Sequence, residues 1–71
     1  MFRFAPRQAE VIEILHEAWV NGTPEIGQAY VLTRIGSPIG RMRDLFKGHH
    51  AWGALIVPGI GKGTFRLNIP R

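Results

Sequence analysis

The sequence predicts a small α+β domain, three helices followed by a two-stranded β-hairpin. Three observations carry this reading. The chain has 71 residues with 45% apolar content and no cysteine, so one core of aliphatic and aromatic packing must suffice, in a fold that buries only about 60% of the unfolded surface. Helical spacing of apolar residues, interrupted by paired Gly, Pro, Ser and Thr signals, runs from Pro6 to Lys47. Beyond it, two apolar stretches flank a glycine-rich loop.

The first helix is expected over residues 6–20. Pro6 fits a first-turn position, and Val11, Ile12, Leu15, Ala18 and Trp19 fall within one stripe, with Glu10, Glu13 and Glu17 on another face. Asn21 and Gly22 tolerate the left-handed backbone that ends a helix. Thr23, Pro24 and Glu25 then read as cap, first-turn proline and dipole-compensating acid of a second helix over 24–34. Ile26, Ala29, Tyr30, Val31 and Leu32 surround that helix, which places it centrally.

Gly36 stops the second helix, and Ser37 and Pro38 open a third over 38–47 after a connection of three or four residues. Two helices joined this tightly form a helix-turn-helix. In the third, Ile39, Met42, Leu45 and Phe46 share a packing arc, leaving Gly40, Arg41, Arg43, Asp44 and Lys47 on the free side. Gly48 ends it, and residues 49–53 read as a linker. The hairpin is expected at about 54–69, with strands at 54–57 and 64–69 around a mobile tip, residues 58–63, charged only at Lys62.

Charge is divided unevenly. Residues 1–33 carry two arginines against four glutamates, whereas residues 34–71 carry Arg34, Arg41, Arg43, Lys47, Lys62, Arg66 and Arg71 against Asp44 alone. A basic half of this kind suits a polyanion, although a net charge of +4 also simply keeps a small domain soluble. No apolar run approaches the roughly 18 residues of a membrane span, and the segment 1–4 has no apolar stretch typical of a cleaved signal, so a cytoplasmic location is expected.

The order helix, helix, tight turn, helix, hairpin resembles the winged helix-turn-helix superfamily over nearly the whole chain. The resemblance lies in architecture and patterning and implies duplex DNA binding by a small transcriptional regulator or a phage-like accessory factor. It implies that the third helix enters the major groove and that the hairpin, the wing, touches backbone or minor groove. Carried over by position, Ser37 and the amides near Ile39 and Gly40 meet a phosphate. Arg41, Arg43, Asp44 and Lys47 face bases or backbone, and Lys62 and Arg66 lie on the wing. Gly40 and the single wing-tip lysine depart from the common pattern. Residue chemistry agrees with this use: Arg43 can grip guanine in a bidentate pair and Lys47 can neutralise a phosphate.

Arg34, His49 and His50 complete the candidate DNA-binding set, the histidines as phosphate contacts when protonated. Specificity from so small a domain calls for a homodimer on two half-sites or a larger complex. No cofactor or metal is called for: in Gly61-Lys62-Gly63-Thr64 a glycine, Gly63, takes the Ser/Thr position of a phosphate loop and a strand pattern follows instead of a helix, and the adjacent histidines lack companion ligands. Ser37, the only serine, has no partner pair for catalysis, so no enzyme is expected. The rival reading is a protein-interaction adaptor that uses the N-terminal arm and the acidic first helix; Phe2 and Phe4 in that arm either cap the core or form an exposed patch for a partner or a dimer.

Overall fold

The computed structural model describes residues 3–69. Phe2, expected in an apolar arm beside Phe4, and Arg71, counted in the basic half, lie outside the described residues. Three helices pack with a three-stranded antiparallel sheet: α1 (Pro6–Val20), β1 (Ile26–Gly27), α2 (Gln28–Arg34), α3 (Met42–Leu45), β2 (Ile56–Pro58) and β3 (Thr64–Leu67). No helix among the described residues is long and apolar enough to cross a membrane.

Helix α1 spans the expected 6–20. Gln8 reaches back from the first turn to accept the Ala5 N–H at 2.9 Å, and Gly22, at φ +80°, lets the Gly22 and Thr23 amides return to the Trp19 and Ala18 carbonyls. Gly36 closes α2 in the same manner, its own and the Ser37 amides bonding to Thr33 and Leu32. Both predicted stops therefore hold. The buried face of α1 is Val11, Ile14, Leu15 and Ala18, with Ile12 and Trp19 only half-buried.

The second helix is shorter than its start signal implied. Ile26 and Gly27 are extended and pair with Phe65 and Thr64, so the sheet has one strand more than the expected hairpin, in the order β1-β3-β2. Helix α2 then begins at Gln28 and buries Val31 and Leu32, while Ala29 and Tyr30 are exposed. It is a flanking helix, because Ile26 serves the sheet and Tyr30 points outward.

The third helix contracts from the expected 38–47 to Met42–Leu45. Ser37 Oγ accepts the Ile39 N–H at 3.0 Å, as a cap would, but the backbone is extended again at Arg41 (φ −137°, ψ 135°). Gly40 supplies no side chain to hold a helical turn and disfavours helix by about 1 kcal/mol relative to Ala. The connection is consequently residues 35–41, longer than a tight helix-turn-helix link, and Ile39 leaves the packing arc, 36% exposed.

Strands β2 and β3 pair with Ile56 opposite Leu67, Val57 opposite Arg66 and Pro58 opposite Phe65. They are shorter than expected, the loop occupying 59–63, and Pro58 is tolerated because β2 is an edge strand. Val11, Leu15, Val31, Met42, Phe46, Ile56 and Leu67 join α1, α2, α3 and the sheet in one buried cluster. At its border Trp52 stacks on Phe46, with ring centroids 6.1 Å apart, and tilts against Phe65 at 5.1 Å. Phe4 meets the Phe46 edge at 6.2 Å and is half-buried, so it belongs to the core margin and not to an exposed arm.

Candidate nucleic-acid interface

The basic residues of the third helical segment remain exposed after its contraction. Arg41 precedes α3, Arg43 and Asp44 lie on its single turn, and Lys47 follows it. All four border an open concavity of about 470 Å³ whose floor includes Phe46 and Trp52. The burial of Met42 and Phe46 fixes the turn from beneath, and its polar ends are held by other helices. Gln28 Oε1 accepts the Met42 N–H at 3.2 Å, and Gln8 Nε2 donates to the Leu45 carbonyl at 3.0 Å.

Gln28 also places the hairpin loop beside this segment. Its backbone N–H donates to the Gly63 carbonyl at 2.9 Å while its side chain holds Met42, so one residue spans from the loop to the first residue of α3. Lys62 is exposed in that loop, next to Gly63. Arg66 is half-buried on β3, and its charge helps stabilise the Glu25 carboxylate.

Glu25 does not compensate a helix dipole. Its Oε1 accepts the Ile60 N–H at 2.8 Å and the Gly61 N–H at 3.2 Å, and the Thr64 hydroxyl lies 3.2 Å away. The Gly61 amide foremost, then Ile60, Thr64 and Arg66, hold the Glu25 carboxyl below its ordinary titration range against an opposing desolvation effect. The tip expected to be mobile is tied to the strand-side segment before β1. Gly59 permits this approach: a Cβ there would stand 2.5 Å from Glu25 Oε1 and 2.7 Å from its Cδ. The amides that a phosphate loop would offer are occupied by the protein's own carboxylate.

The other candidate residues are placed differently. Arg34 lies by the acidic face of α1, bordering a groove of about 640 Å³ with Glu10, Glu13 and Glu17, and donates to the Tyr30 hydroxyl at 3.2 Å. Ser37 and Gly40 sit in the extended connection and no longer form a helix start, since the first α3 amide is taken by Gln28. His49 Nδ1 accepts the Ala51 N–H at 3.0 Å, which leaves Nε2 as the protonated nitrogen facing the Arg3 carbonyl. Its ring stacks on Phe4 at 4.8 Å, giving His49 a packing role, whereas His50 is exposed. The structure thus gathers Arg41, Arg43, Asp44 and Lys47, with the packed His49 on the margin of the same concavity, sets Lys62 on the loop bonded to Gln28, and separates Arg34.

Gln8, Gln28 and Glu25 are the positioning residues that pattern reading missed. Their partners lie 37, 14 and 35 residues away respectively, and no local spacing marks such contacts. No family model matches the chain, and no curated protein or solved structure is found to be similar to it.

Proposed function

We propose that this protein binds duplex DNA through the Arg41–Lys47 segment and the adjoining hairpin loop, in the manner of a winged helix. The observation that supports the reading best is the pair of bonds from Gln28, to the Met42 N–H and to the Gly63 carbonyl, which tie the loop carrying Lys62 to the segment carrying Arg41, Arg43 and Lys47. Among the described residues, Asp44 is the one carboxylate bordering the α3 concavity; Glu10, Glu13 and Glu17 line the groove on α1, and Glu25 is held by loop amides. A duplex presents dense negative charge, so binding of this kind releases counterions and weakens as salt rises.

The α3 turn meets the major groove, where Arg43 is the residue suited to a guanine edge, while Arg41, Lys47 and Lys62 take phosphates. With a single helical turn to read bases, backbone contact dominates and sequence preference is modest. The expected role is that of a small regulator or accessory factor whose selectivity comes from a second copy or a larger complex.

Fluorescence anisotropy of a labelled random-sequence duplex, titrated with wild type and with the Arg43→Ala/Lys47→Ala double variant across a salt series, tests this reading. Wild type should bind, and the double variant should bind more weakly, with the slope of log affinity against log salt reduced by about one through loss of the Lys47 phosphate contact. Absence of binding by folded wild type at low salt would overturn it.

The groove of about 640 Å³ between the acidic face of α1 and Ile35 favours a second reading, a protein-interaction surface for a basic partner segment. Val20 on its rim is 61% exposed, giving such a segment an apolar contact beside the carboxylates. Under that reading the double variant would keep its partner, and substitution of Glu13 and Glu17 would release it.

A further inference from the structure

The hairpin tip joins two properties that usually exclude one another. Its backbone is closely held: Gly59 N–H donates to the Thr64 carbonyl at 2.9 Å, Ile60 and Gly61 donate to Glu25, and the Gly63 carbonyl accepts from Gln28. Yet the side chain at its apex, Ile60, is 97% exposed, far beyond the other large exposed hydrophobics. An isoleucine kept in water by a polar scaffold gains nothing from burial in this fold. Gly59 and Gly61 flank it without side chains, so it projects from a narrow support.

Charge distinguishes what such a projection fits. Lys62 is the only charged side chain in the 59–63 loop, and the nearby Glu25 carboxylate is occupied by amides of that same loop. The tip therefore offers an apolar point beside a cation, and it adjoins α3 through Gln28. Minor-groove binders insert aliphatic side chains between base steps while cations hold the flanking phosphates, and a narrow rigid tip suits that groove.

We propose that Ile60 is an apolar wedge that enters the minor groove of duplex DNA and partly unstacks one base step. This rests on the proposed duplex binding. Lys62 takes a phosphate beside the opened step, and the Glu25 bonds spare the loop the cost of becoming ordered on binding. Pyrimidine–purine steps, which unstack most readily, are the preferred insertion points.

The test compares wild type, Ile60→Ala and Ile60→Phe on two short duplexes of equal length, one with a central TpA step carrying 2-aminopurine and one a continuous A-tract. Wild type should bind the TpA duplex about 3- to 10-fold more tightly than the A-tract and raise the 2-aminopurine fluorescence. Ile60→Ala should bring that ratio to about one and abolish the fluorescence rise while leaving the salt slope unchanged, and Ile60→Phe should retain both signals. Because Ile60 contributes no burial, circular dichroism of Ile60→Ala should match wild type. Salt-dependent binding by wild type, with the same ratio and fluorescence rise in Ile60→Ala, would overturn the wedge and leave duplex binding standing. The wedge is equally overturned if Ile60→Ala affects only retention on phosphatidylserine/phosphatidylcholine vesicles. No binding of wild type to either duplex would overturn the duplex reading itself.

Discussion

Helices α1 and α3 reach the same backbone conformation by opposite routes. The first is 15 residues long and carries its own signals: Pro6 in the first turn, Gln8 reaching back to Ala5, Gly22 at the stop, and a continuous buried face. The third is a 4-residue turn that no isolated peptide would hold, since helix nucleation is unfavourable at that length. Its ends are bonded by Gln28 and Gln8, and Met42 and Phe46 anchor it in the core. A helix that depends on distant partners is placed by them as well, and Gln28, bonded to both Met42 and Gly63, ties its start to the hairpin loop.

Variants can separate the two routes. The largest effect is expected for Phe46→Ala, which removes a fully buried ring from beneath α3 and should cost about 3–5 kcal/mol by denaturant unfolding. Gln28→Ala should cost about 1–2 kcal/mol, because the part-buried Met42 N–H loses its acceptor. Amide exchange should then accelerate at Met42 while α1 stays protected; equal acceleration in both helices would show that α3 does not depend on Gln28 more than α1 does.

Glu25 extends the contrast to the hairpin. Its carboxyl titrates lower in the folded protein than in the unfolded chain, so its stabilising contribution is complete above the unfolded value of about 4.3 and is lost as pH falls through the folded value. Thermal melts of wild type should therefore decline on acidification below about pH 4.5, whereas Glu25→Gln should begin lower at pH 7 and show a shallower decline. The smallest effect is expected for Gly40→Ala. Gly40 has no positive φ and nothing within 4 Å of an added Cβ, so the substitution should stabilise by about 0.4–1 kcal/mol through the unfolded chain.

The same contrast explains what could be read in advance. The bounds of α1, the stops at Gly22 and Gly36 and the hairpin all have local causes, and sequence patterning reveals them. The start at Thr23-Pro24-Glu25 imitates a helix cap, but Ile26 and Gly27 are claimed by Phe65 and Thr64 at the far end of the chain. The length of α3 was hidden for the same reason: Ser37 bonds as a cap does, while the helix itself begins at the residue that Gln28 captures. At the candidate site, the exposure of Arg41, Arg43, Asp44 and Lys47 followed from spacing. The diversion of Arg34 to the acidic groove, the packing of His49 and the capture of the loop by Glu25 required the fold.

Under the proposed function, α3 and the hairpin loop present one surface to DNA. Amide chemical-shift mapping during titration with a short duplex tests it most directly. Shifts should concentrate at residues 41–47 and 60–63 and move together along one binding isotherm, with Glu10, Glu13 and Glu17 unaffected. Shifts confined to the α1 groove, or none at low salt, would contradict it.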